Sequence, residues 1–180
     1  LTLAGAMQLG VNSMLLTNHG LIDADTSQGM ALDLTDAGPN FNDGTIRASN
    51  GATLTIYPAT LDNTGGTVEA APGSVVQLYN MSLIGGVLRD VDGNSAGAVR
   101  NAGYCALSGV TIEGGFECPN YTATYLYDTI DLQGPMRLNS VGYTTDLIVA
   151  TSPFTLAGAG GTVAANTQAN RIYGANANNQ

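Results

Sequence analysis

Residues 43–49 read DGTIRAS, and residues 65–71 read GGTVEAA. A glycine, an aliphatic residue, a charge and a small residue return at the same offsets. Counting forward from the glycine extends the pattern along the chain. Gly5 is followed two and four places on by Met7 and Leu9, Gly20 by Ile22 and Ala24, and Gly44 by Ile46 and Ala48. Gly66 gives Val68 and Ala70, Gly86 gives Leu88 and Asp90, and Gly114 gives Phe116 and Cys118. Gly134 gives Met136 and Leu138, and Gly161 gives Val163 and Ala165. The eight passes lie 15, 24, 22, 20, 28, 20 and 27 residues apart, an elastic period of about 22.

Inside each pass the apolar residues fall at alternate positions, which makes each a short strand with one face turned to a core. Further strand-like stretches follow, among them GMALDL, GATLTIY, GSVVQLY and TATYLY. Turn-forming clusters such as DNTGG and VDGNS separate them, where glycine, asparagine and aspartate accept φ > 0. A coil of about 22 residues holding two or three short strands is the unit of a β-solenoid. The expectation is one all-β domain over residues 1–180 with about eight coils, roughly 38 Å tall at about 4.8 Å per coil. The polar, Asn-rich residues 166–180 are read as a tail or weak cap.

The residue three places after each anchor glycine should face outward. In order it is Gln8, Asp23, Arg47, Glu69, Arg89, Glu117, Arg137 and Ala164. The six in the middle alternate in sign, as stacked neighbours in a parallel ladder should. On this reading the glycine turns the corner, the aliphatic residue fills the core and the charge pairs with the coils above and below.

Composition sets the limits on function. The chain has no lysine; its five basic residues are arginines, against 14 acidic residues, for a net charge of −9. Phosphate neutralisation needs clustered Lys and Arg, so nucleic acid is excluded as a partner. The stretch from Leu1 to Leu21 is uncharged but broken by polar residues and glycine, so it does not read as a membrane span. Lacking a basic start, it does not read as a signal peptide either, and the chain is expected to begin after a cleavage or within a longer protein.

Chemistry-bearing residues are few. Cys105 and Cys118, 13 apart, would form a disulfide in an oxidising compartment or remain two packed thiols. His19 sits beside a corner glycine with no nucleophile at triad spacing. Two cysteines and one histidine make no zinc or iron–sulfur set, so no metal or cofactor is expected. The aspartate pairs in DADTSQG and RDVDGNSAG lack the glycine and glutamate of a calcium loop and read as turns. The sequons at Asn80 and Asn120 are read as coincidental.

The phrases LTNHGLIDAD, NDGTIRASNGATLTI, LDNTGGTVEAAPGSVVQLYNMSLIGGVL and FTLAGAGGTVAANTQANRIYG resemble the repeats of large secreted bacterial proteins. These are the filamentous-haemagglutinin-like adhesins and autotransporter passenger regions. The resemblance covers most of the chain and implies a right-handed parallel β-helix, export to the cell surface or beyond, and a structural or adhesive role. No secretion, translocator or anchoring segment is recognisable.

Parallel β-helices also host polysaccharide lyases and hydrolases, the rival class. A glycosidase needs two carboxylates about 5–10 Å apart, and Asp23 with Glu69, or Glu69 with Glu117, would qualify were an arginine not expected between them. No tryptophan supplies a sugar platform, although Tyr57, Tyr79, Tyr104, Tyr121, Tyr125 and Tyr127 could contribute to one, and Tyr125 and Tyr127 alternate in YTATYLY as a candidate glycan patch. A cleft would have to come from the loops at 90–104 and 139–153. Finally, LTLAGA at 1–6 returns as FTLAGA at 154–159, which suggests end-to-end stacking or continuation into a longer solenoid. The expected function is a non-catalytic extracellular rod segment or fibre subunit, the alternative a carbohydrate-binding or -cleaving β-helix.

Overall fold

The computed structural model describes residues 1–93 and 98–175. Every regular element in it is a short β-strand, and the strands follow one another in groups of three. The first coil contains β1 (Thr2–Ala4), β2 (Met7–Leu9) and β3 (Thr17–Asn18). The second contains β4 (Leu21–Ala24), β5 (Met30–Leu32) and β6 (Asn40–Asn42), and the third β7 (Thr45–Ala48), β8 (Thr53–Ile56) and β9 (Thr60–Asp62). Next come β10 (Thr67–Ala70), β11 (Val75–Leu78) and β12 (Met81–Ile84), then β13 (Val87–Asp90), β14 (Val99–Asn101) and β15 (Tyr104–Ser108). The sixth coil has β16 (Thr111–Glu113), β17 (Phe116–Pro119) and β18 (Ala123–Tyr127). The seventh has β19 (Thr129–Leu132), β20 (Pro135–Asn139) and β21 (Thr145–Val149), and the eighth β22 (Thr155–Ala157), β23 (Thr162–Ala165) and β24 (Asn170–Gly174).

Each strand pairs in parallel with the strand three places on, giving three eight-stranded sheets. Sheet A runs β1-β4-β7-β10-β13-β16-β19-β22, sheet B runs from β2 to β23 and sheet C from β3 to β24. The chain is a parallel β-helix with a triangular path, as the repeat implied.

Inward side chains from the three sheets meet in one core. Ile22, Ile46, Val68, Leu88 and Ile112 stack in register on sheet A. Leu54, Val76 and Val99 do so on sheet B, continued above by Phe116 and Met136. Leu61, Leu83, Leu107 and Leu126 form the sheet C column. All are buried, and each contributes about 1.5–3 kcal/mol on leaving water. A period-2 pattern suffices for this, because in a solenoid one face of every strand meets the other two sheets and the other meets solvent.

The corner from sheet C to sheet A holds a column the repeat did not announce. Asn18 Nδ2 donates to Asn42 Oδ1 at 2.6 Å, and Asn42 Nδ2 donates to Asn63 Oδ1 at 2.6 Å. The same amides reach the carbonyl oxygens of Gly20, Gly44 and Gly66. These buried polar groups are thus satisfied by one another and by the turn they close. Glycine is required beneath them: a Cβ on Gly44 would lie 2.2 Å from the Gly20 oxygen and 3.0 Å from Asn18 Nδ2.

Three expectations need correction. The eight anchor glycines do not mark one corner. Gly20, Gly44, Gly66 and Gly86 precede sheet A strands, whereas Gly5, Gly114, Gly134 and Gly161 precede sheet B strands. The odd spacings of 15 and 28 residues are the places where the count jumps from one corner to the other. The stretch after residue 165 is not a cap as far as Ala175: β24 extends sheet C by pairing with β21, and residues 176–180 lie outside the described residues. The stretches at 90–104 and 139–153 are not free loops, since they contain β14, the start of β15 and all of β21; residues 94–97 lie outside the described residues.

Candidate functional site

The outward face of sheet A carries a charged column built by register alone. Asp23, Arg47, Glu69, Arg89 and Glu113 are successive Cα partners on β4, β7, β10, β13 and β16. Asp23 is buried and accepts from Arg47 Nε and Nη2 at 2.9 and 2.7 Å and from Ser49 Oγ at 2.9 Å. Arg89 donates to Glu113 at 2.7 Å and to Glu69 at 3.4 Å. The hydrogen bond it donates to Asp23 holds the Arg47 guanidinium above its ordinary range, and the one donated to Glu113 does the same for Arg89.

The single six-residue ladder expected from the sequence is therefore two ladders. Asp23, Arg47, Glu69 and Arg89 lie on sheet A, but Glu117 and Arg137 are partners on sheet B. There Arg100 pairs in register with Glu117 from below, in a column that rises from Gln8 through Ala31, Thr55 and Gln77. Glu113 and Arg100, both missed, occupy the positions the splice skipped. A third pairing lies on sheet C, where Arg171 is the register partner of Asp146 and binds it through two nitrogens at 2.7 and 2.6 Å. Each of the five arginines thus stands in register with a carboxylate on an adjacent strand.

This placement bears on the two carboxylate pairs. Asp23 and Glu69 do share a column, but Arg47 stands between them. Glu69 and Glu117 lie on different sheets and form no pair. His19 is exposed, with Nδ1 2.7 Å from Asp43 Oδ1 and its ring edge-on to Phe41. Among the described residues no group of three or more His, Cys, Asp and Glu is placed to hold a metal ion. No helix there is long and apolar enough to cross a membrane.

The cysteines are free thiols, not a bridge. Cys105 lies on β15 in sheet C and Cys118 on β17 in sheet B, and their register neighbours are Thr124 and Leu138. Both point into the shared core from different sheets, and neither is the other's register partner. Cys118 Sγ instead lies 3.3 Å from Thr124 Oγ1, which also accepts from Asn101 Nδ2 at 2.9 Å. Burial pushes both thiols up, Cys118 to about 12, so neither is a nucleophile at neutral pH.

Tyr125 and Tyr127 lie half-buried on the outer face of sheet C. Both sequon asparagines have their side-chain oxygens engaged. Asn80 accepts from Tyr104 N at 2.8 Å, and Asn120 accepts from Val141 N and Tyr143 N at 2.6 and 3.1 Å.

The two ends of the solenoid expose core. Below β1–β3 lies a hollow of about 190 Å³ lined by Leu1, Leu3, Leu9, Met14 and Leu16 among others. Above β22–β24 lies one of about 180 Å³ lined by Leu132, Leu156, Gly158 and Val163 among others. β1 and β22 are the two outer strands of sheet A, and both read Thr-Leu-Ala.

No family model, curated protein or solved structure matches the chain. The likeness to secreted β-helix repeats rests on the quoted phrases alone.

Proposed function

We propose that the chain is a non-catalytic rod element of an extracellular β-solenoid, lengthened by parallel strand addition at its ends, with a second copy of the chain as the added piece. The observation that carries this reading is the chemistry of the two terminal edges. Natural sheet edges are protected by charges, prolines or bulges that block further pairing. Here the outer strands β1, β2, β3, β22 and β23 carry no Asp, Glu, Lys or Arg, and the one charge on the outer strands, Arg171 of β24, is held by Asp146 of the strand below. The apolar hollow at the lower end, with Leu156 and Val163 exposed or half-buried at the upper end, adds a burial term to the strand pairing, and Thr-Leu-Ala on both outer strands of sheet A lets one copy's first coil follow another's last. Extracellular placement is supported by the resemblance to secreted repeats.

Negative-stain electron microscopy of the purified chain over a range of concentrations tests this. Filaments with an axial repeat near roughly 38 Å, eight coils at about 4.8 Å, are expected, and Leu156→Lys should abolish them. Single rods at every concentration would overturn the reading.

A further inference from the structure

One corner of the solenoid, from sheet B to sheet C, carries a tyrosine in five consecutive coils. Tyr57 follows β8, Tyr79 follows β11 and Tyr104 opens β15. Tyr121 lies between β17 and β18, and Tyr143 between β20 and β21. At about 4.8 Å per coil the five span roughly 19 Å along the axis. The rings are grouped: Tyr57 and Tyr79 lie 5.5 Å apart between centroids, as do Tyr121 and Tyr143.

The upper three are turned to solvent, with Tyr104 62%, Tyr121 73% and Tyr143 65% exposed, so core packing does not account for them. The structure nevertheless holds them in place. Asn80, one coil below, anchors the backbone N–H of Tyr104, and Asn120 anchors those of Val141 and Tyr143. Gly103 makes room for the first anchor, since a Cβ there would lie 2.3 Å from Asn80 Oδ1. Tyr121 itself has φ 64°, a conformation that costs a bulky residue energy and that glycine or asparagine would adopt freely. Strain of this kind concentrates at functional sites. Asn120, Tyr121 and Tyr143 together line an open hollow of about 400 Å³.

We infer that this tyrosine strip, centred on Tyr104, Tyr121 and Tyr143, binds a neutral polysaccharide lying along the solenoid axis. An exposed tyrosine offers an apolar ring face and a polar hydroxyl, the two surfaces a pyranose presents in turn. Two ring pairs with an exposed tyrosine in the coil between them, spread along the axis, match a polymer of repeating sugar units better than a single small ligand. The turn segments at 57–59, 79–80, 102–103, 120–122 and 140–144 contain no charged residue. With no lysine in the chain and a net charge of −9, a polyuronate or sulfated chain would be repelled. Binding needs no second copy of the chain and does not rest on end-to-end assembly.

With no tryptophan present, tyrosine fluorescence is dominated by the strip, which holds five of the chain's eight tyrosines. The full chain would be titrated with cellohexaose, xylohexaose, mannohexaose and chitohexaose, with hexagalacturonate as the anionic comparator. At least one neutral hexaose should bind, and Tyr121→Ala and Tyr143→Ala should each weaken it tenfold or more. Tyr125→Ala, on the sheet C face, should change it less than twofold. Absence of binding by all four neutral probes would overturn the proposal. So would tighter binding of hexagalacturonate, or an equal loss in the Tyr125 variant. Circular dichroism of each variant separates a lost site from a lost fold.

Discussion

Arg89 donates from Nε to Glu113 Oε2 at 2.7 Å, across the boundary between the fifth and sixth coils, while its Nη1 reaches back to Glu69 in the fourth at 3.4 Å. One cation thereby ties three coils. All three side chains are partly exposed, so the attraction is modest. Reversing the sign is different, because it sets three carboxylates one above another.

Arg89→Met is expected to cost less than about 1 kcal/mol, the range of exposed pairs. Arg89→Glu should cost more, about 1–2 kcal/mol, because register partners of like charge repel. Urea melts in low and in 1 M salt separate the cases, since salt screens repulsion and should recover most of the Arg89→Glu loss.

Asn42 is the middle rung of the asparagine column and is fully buried. Asn42→Leu leaves the Asn18 amide and the Asn63 oxygen each without its 2.6 Å partner. Unmet buried groups cost about 1–3 kcal/mol apiece, so a loss of about 3 kcal/mol or more is expected in the denaturant midpoint. Asn18→Ala, at the lower end of the column, should cost less.

The thiols should be silent to a soluble thiol reagent in the folded chain and both react once it is unfolded. They also set an alkaline limit. Burial raises the Cys118 thiol from 9.0 to about 12, and Cys105 is raised for the same cause. The unfolded chain therefore loses these protons first as pH rises. Stability is fully present below about pH 9 and falls between about 9 and 12 by up to about 1.4 kcal/mol per pH unit for each thiol. Cys118→Ala should shift the alkaline melting profile upward relative to its own neutral-pH value.

At the acid end the last strand is the sensitive one. The hydrogen bond from Arg171 holds the Asp146 carboxyl below its ordinary 3.8, so the pairing of β21 with β24 is favoured above that value. The hold is lost as the carboxylate protonates at lower pH. Hydrogen exchange between pH 6 and pH 3 should show β24 amides losing protection while β15 and β18 keep theirs; uniform loss across all three would contradict this.

Much of the architecture was legible because a solenoid strand has one buried face everywhere, and Gly66-Thr-Val-Glu-Ala shows that alternation plainly. The assignment of strands to sheets was not legible. Gly86 and Gly114 introduce the same alternation at different corners, and a period-2 pattern carries no mark of which sheet it joins. Arg100 and Glu113 were lost at that jump. The asparagine column did leave a signal, Asn-x-Gly in Asn18-His19-Gly20 and again in Asn42-Asp43-Gly44. The tyrosine corner left only a faint one: Tyr57 and Tyr79 each directly follow a sheet B strand and Tyr121 and Tyr143 each stand two residues before a sheet C strand, while Tyr104 opens β15, so no single spacing in the sequence marks all five.

The alternation of sign on sheet A makes the length of the protein a matter of parity. Excising the coil from Thr45 to Gly66 would seat Glu69 directly on Asp23, acid on acid. Excising two coils, from Thr45 to Gly86, would seat Arg89 there instead and restore an opposite pair. A solenoid so charged can shorten or grow by duplicating coils in twos far more readily than one at a time.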